Sequence, residues 1–143
     1  MRKDLLLQQF KDIEKAINLL KASIDKFIVY DTNKTYSPDE LEYYDSLSFR
    51  FEKSVELTIN FFRSLELFFS SKQSDTLRDR LLEMQKMEIV REIDFWMEAR
   101  LLRNKIAHAY LSDEIKRIYQ AIHDNSNEVI ETVVRIKIYL EKV

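Results

Sequence analysis

The chain has 143 residues, 45% apolar and 34% charged, with a net charge of −2, one proline, no glycine and no cysteine. That length fits one domain, residues 1–143, with a buried core, and the apolar content excludes a disordered chain. Absent glycine argues against hairpin-built β folds, absent cysteine excludes disulfides and thiolate metal sites, and the balanced charge excludes a protein that coats nucleic acid.

The start, Met1-Arg2-Lys3-Asp4, leads into a segment interrupted by Gln8, Gln9 and Lys11, which is no signal-peptide core. No apolar run approaches the ~20 residues of a membrane span, so a soluble, cytoplasmic protein is expected. Leu6, Phe10, Ile13, Ile17, Leu20, Ile24 and Phe27 then recur at steps of three and four. That is the apolar stripe of a first helix over roughly residues 4–30, with Lys11, Asp12, Glu14 and Lys15 on its wet side.

After a loop at Asp31 to Tyr36, Ser37-Pro38-Asp39-Glu40 starts the second helix: serine as N-cap, proline at the first helical position, Glu40 closing a capping box. This helix runs to about Ser70, with Tyr44, Leu47, Phe51, Val55, Ile59, Phe62, Leu65 and Phe69 along one side. Phe49, Phe61 and Phe68 widen the apolar surface, for a core or for a homodimer interface.

The polar connector from Ser70 through Ser71 to Asp75 precedes a third helix, capped by Ser74 or Asp75 and ending near Lys86. Met87 to Val90 reads as either a turn or a continuation. The fourth helix follows from about Arg91, with Ile93, Trp96, Met97, Arg100, Leu101 and Asn104 inward. From Asp113 a last helix carries Ile115, Ile118, Ile122, Val129, Val133, Ile136 and Leu140, with a kink expected at Asp124-Asn125-Ser126-Asn127. The expected fold is all-α, an up-and-down antiparallel bundle of four to five helices.

Reactive side chains concentrate in Arg103-Asn104-Lys105-Ile106-Ala107-His108-Ala109-Tyr110. On an unbroken helix Arg103 and His108 lie about 140° apart. A helix end near His108 lets the arginine reach back toward the imidazole. Arginine and histidine together, without a metal, suit phosphodiester chemistry. The imidazole takes a proton from a ribose 2′-hydroxyl or gives one to a leaving oxygen, and the guanidinium stabilises the phosphate. Asn104 can orient the phosphate, Lys105 can attract an RNA backbone, and Tyr110 can stack on a base. Each also has a plain structural role. His108 can cap a helix C-terminus, Arg103 can pair with Glu98 or Asp94, Lys105 can be solvated and Tyr110 can pack. His123, next to the core stripe and beside Asp124, reads as structural or surface. With His108 and His123 the only histidines, a zinc site would lean on carboxylates, so no metal or cofactor is expected.

The stretch R-x4-H-x-Y, matched by Arg103, His108 and Tyr110 with Asn104 after the arginine, resembles the signature of HEPN domains, and more narrowly of HepT-type toxins. Trp96 and the run from Glu98 to Leu102 lead into the motif as in that family, and the length and helical pattern agree. The resemblance implies a metal-independent RNase toxin of a type VII-like toxin–antitoxin module, acting on cellular RNA such as tRNA. It implies a homodimer whose Arg103 and His108 line a cleft near the two-fold axis. It also implies a minimal nucleotidyltransferase antitoxin, MntA-like, that silences the RNase by adding AMP to Tyr110. A sister group with a similar stretch has been labelled nucleotidyltransferase substrate-binding protein, a non-catalytic partner.

Overall fold

Three long helices carry the architecture because three long stretches of this chain keep an apolar stripe in helical register. The computed structural model describes residues 1–70 and 72–143, the Arg103 side chain excepted. Its helices are α1 (Lys3–Asp25), α2 (Pro38–Ser70), α3 (Leu77–Lys86), α4 (Ile93–Ala99), α5 (Leu102–Ala107) and α6 (Ser112–Glu141). Among the described residues, no helix is long and apolar enough to cross a membrane.

Cross-helix contacts set the directions. Tyr43 near the start of α2 donates to the Ser23 carbonyl at the end of α1, while Phe61 meets Phe10 at 5.8 Å, so α1 and α2 are antiparallel. Lys137 pairs with Glu14, and Phe27 stacks on His123, so α6 also runs against α1. Tyr44 stacks on Tyr119 and Phe69 meets Tyr139 edge-on, which makes α2 and α6 parallel. Trp96 sits on Phe62, and Leu102 and Ile106 reach the level of Ser48 and Phe51, so α4 and α5 run against α2. The result is the expected up-and-down bundle, with α4 and α5 as successive parts of one wall and α3 attached beside it.

The capping box forms as its residues demand: Glu40 N–H donates to Ser37 Oγ at 3.2 Å, and Ser37 N–H to Glu40 Oε1 at 3.1 Å. The first helix stops at Asp25 rather than continuing to 30. Beyond it Phe27 turns onto His123, Tyr30 is buried among Tyr36, Tyr44 and Tyr119, and the Tyr44 hydroxyl takes the Ile28 carbonyl. Aromatic burial thus outweighs another helical turn.

The cap of α3 is Thr76, whose Oγ1 accepts from Asp79 N–H, and neither Ser74 nor Asp75 fills that place. Ser74 is engaged by Glu66 instead. Helix α6 runs unbroken through residues 124–127. Ser126 donates to the Ile122 carbonyl at 2.6 Å and Asp124 accepts from Gln120, so those polar side chains are satisfied within the continuous helix.

Met87 to Val90 is a turn, and it closes as a Schellman motif. Ile89 N–H bonds the Met84 carbonyl, Glu88 N–H bonds the Gln85 carbonyl, and buried Ile89 and Met84 share the core. Glu88 takes the left-handed position, at φ 62°. A side chain there is disfavoured, and glycine is relieved of that strain. Glu88→Gly is expected to raise stability by about 1 kcal/mol, read from the denaturation midpoint. An unchanged or lower midpoint would contradict a strained backbone at this turn.

The wall leading to the reactive stretch is not one helix. It breaks at Arg100 and Leu101, where Leu101 N–H bonds the Glu98 carbonyl three residues back at 2.9 Å. Trp96, Ala99 and Leu102 are buried at steps of three, which calls for a tighter winding than an α-helix supplies. Arg100, Leu101 and Asn104, expected to face inward, are exposed as a consequence.

Candidate functional site

Helix α5 is six residues long, and His108 is its C-cap, with φ −109° and ψ 7°. Its N–H bonds the Lys105 carbonyl, and Ala109 N–H bonds the Ile106 carbonyl. The helix end expected near His108 is therefore present. Ile106 and Ala109 pack against the core and pin the corner from beneath. The chain then runs through Tyr110 to Leu111, the uncapped N-cap of α6, with Asp113 and Glu114 in the first turn favouring the helix dipole.

This path leaves Asn104, Lys105 and His108 exposed on one corner, with Tyr110 87% and Leu111 71% exposed. The side chains of Asn104, Lys105, His108 and Tyr110 make no hydrogen bond or ion pair with another described residue. Tyr110 does not pack, and Asp94 is engaged by Arg78 at 3.4 Å. Arg103 falls within α5, and its side chain lies outside the described residues. His123 is half-buried, stacked on Phe27 at 4.2 Å, with Nδ1 3.0 Å from Asp124 Oδ1, which fits the structural role read for it. That contact, and the amide of Gln120, hold the Asp124 carboxyl below its ordinary range.

Behind the corner lies a cleft of about 380 Å³ between α2, α5 and α6. Leu102, Ile106, Ile115 and Ile122 supply apolar wall, while Asp45, Ser48, Phe49 and Glu52 come from α2 and Tyr119 from α6. Positions 45, 48, 49 and 52 follow the i, i+3, i+4, i+7 spacing of one helix face. Reading α2 for its apolar stripe alone passes over this neighbouring stripe. Of the three additional phenylalanines, Phe61 is in the core and Phe68 packs against it, while Phe49 stands 64% exposed on the cleft.

Two groups in the cleft are unusual. Among the described residues, the buried Ser48 hydroxyl has no hydrogen-bond partner. Four other buried helix hydroxyls, on Ser54, Thr58, Ser126 and Thr132, each donate to the carbonyl four residues back. Tyr119 has its hydroxyl pKa pushed up to about 12 by burial, with the charge of Asp45 and the neighbouring Tyr30 adding to it. It stays a proton donor at any physiological pH. A second cleft of about 310 Å³ opens between α2 and the α4–α5 wall, and Asn104 lines it together with Glu56, Asn60 and Arg100.

A family model described as nucleotidyltransferase substrate binding protein like matches residues 8–135, which takes in the corner and both clefts. The match falls on the sister group of the motif resemblance rather than on its toxin branch. No curated protein matches the chain.

Proposed function

Since the chain belongs to the nucleotidyltransferase substrate binding protein like family, we propose that it is the binding companion of a nucleotidyltransferase and docks onto it through the α5–α6 corner. The family match over residues 8–135 carries this reading. The corner supports it, because a largely exposed tyrosine next to an exposed leucine has no use within the chain and suits an interface anchor. Asn104 and Lys105 lie on the same corner and supply polar contacts at its rim. Tyr110 is also the residue on which such a partner would place a nucleotide.

The test is co-purification with a minimal nucleotidyltransferase from the same genome. Tyr110→Ala with Leu111→Ala is expected to weaken the complex about tenfold or more, as loss of an interface anchor does, with the melting temperature unchanged. A double variant that binds like wild type overturns the assigned surface. Failure of the wild-type pair to associate overturns the partner reading.

A second reading is favoured by His108, which stands solvent-exposed at a helix end five residues after Arg103. Here the chain is a homodimeric, metal-independent RNase, a toxin that its partner silences by AMPylation of Tyr110. His108 removes the ribose 2′-hydroxyl proton as the oxygen attacks phosphorus, and the imidazolium returns a proton to the departing 5′-oxygen. Arg103 stabilises the phosphorane, while Asn104 and Lys105 position the RNA backbone. Expression of the chain alone separates the readings. Growth arrest with RNA cleavage, both abolished by Arg103→Ala and by His108→Ala, is expected of the RNase. A folded wild type that leaves RNA intact eliminates it and leaves the binding companion.

A further inference from the structure

We infer that the cleft between α2, α5 and α6 binds a flat, amino-bearing heteroaromatic ring of nucleobase size, with its amino group on the Asp45 carboxylate. The volume of about 380 Å³ is that of a small-molecule site, and its walls are largely apolar. Phe49 offers an exposed ring at the mouth on which a planar ligand can stack.

The polar groups define which edge of the ring fits. Of the polar groups that line the cleft, Glu52 already has an interaction of its own, Asp45 is an acceptor only, the Tyr119 hydroxyl is a donor, and Ser48 serves as either. An amino group beside an unprotonated ring nitrogen, as on adenine, satisfies this set. A ring carbonyl in place of the amino group would face the Asp45 carboxylate and be repelled. The orphaned Ser48 hydroxyl is the strongest pointer. It forgoes the carbonyl bond that Ser54, Thr58, Ser126 and Thr132 make, and a buried polar group without a partner is destabilising unless a ligand completes it.

The site does not depend on docking of the nucleotidyltransferase, so it is tested on the isolated chain by titrating adenosine and inosine under amide NMR. Adenosine is expected to shift the resonances of Ser48, Phe49 and Tyr119 and to bind at least about tenfold tighter than inosine. Ser48→Ala should weaken adenosine several-fold while leaving the melting temperature at or above wild type, since it deletes an unsatisfied hydroxyl. Asp45→Asn replaces an acceptor with a group that also donates, and should shift the preference toward inosine. Equal binding of the two nucleosides overturns the inference, as does undiminished adenosine binding by Ser48→Ala. A short oligoadenylate titrated in parallel distinguishes a free nucleoside from a base presented by RNA.

Discussion

Truncating Phe62 to alanine is expected to destabilise the bundle by about 3–5 kcal/mol, the range for removing a fully buried phenylalanine. Phe62 is 0% exposed in the C-terminal third of α2, and Trp96 meets its ring edge-on at 5.2 Å. Two losses combine there: the transfer of a large apolar side chain out of water, and a cavity that long helices on either side are poorly able to close. The seat of α4 goes with it, because Trp96 is the residue that fastens the α4–α5 wall to α2. Trp96 is also the only tryptophan in the chain, so chemical denaturation followed by its fluorescence reports on this contact directly. A loss below about 1 kcal/mol would mean that neighbouring side chains refill the site, and that Phe62 does not hold the wall in place.

Glu66→Ala is expected to cost about 3 kcal/mol or more, the scale for stripping one partner from a buried ion pair. Glu66 is only 4% exposed, and it accepts from both the N–H and the hydroxyl of Ser74 and from Arg80 Nε at 3.5 Å. Arg80 donates in turn to the Ser74 carbonyl, so one carboxylate ties the end of α2 to the connector and to α3. Without it, a largely buried guanidinium and a backbone N–H are left short of partners. Burial by itself raises the Glu66 pKa, but the two Ser74 hydrogen bonds and the charge of Arg80 outweigh it and hold the carboxyl below its ordinary value. A carboxyl whose pKa is lower folded than unfolded stabilises above the unfolded value, and that stabilisation fades as pH falls through the folded one. Stability should therefore decline on the acid side of the ordinary carboxylate range, and less steeply in Glu66→Gln than in wild type. Parallel acid limbs in the two proteins would show that the carboxylate is not linked to folding.

Features written in neighbouring residues are legible without coordinates. The Ser37–Glu40 cap, the stripe of α1 and the helix end at His108 each depend on side chains within a turn or two of one another. Features settled by remote segments are not. The end of α1 depends on tyrosines of α2 that capture the Ser23 and Ile28 carbonyls. The break at Arg100 depends on which of Ala99, Leu101 and Leu102 finds room against α2. The polar run in α6 does not break the helix, because Ser126 spends its hydroxyl on the Ile122 carbonyl one turn back. In the site, the reactive corner is announced by its own composition. The cleft behind it is divided among three helices, and its most informative atom, Ser48 Oγ, is distinguished by a hydrogen bond it does not make.

The break that divides the wall has a thermodynamic consequence. At seven and six residues, α4 and α5 are each shorter than the ~12–15 residues at which a helix begins to persist alone in water. Their order is lent to them by α2 and α6, whereas the three long helices hold one another. Local opening of the segment from Arg100 to Leu111 is therefore expected to require less free energy than global unfolding, with its amides exchanging faster than those of the three long helices. The residues proposed to meet a partner thus lie in the part of the molecule expected to rearrange first, so docking can reshape the corner while the bundle beneath it stays folded.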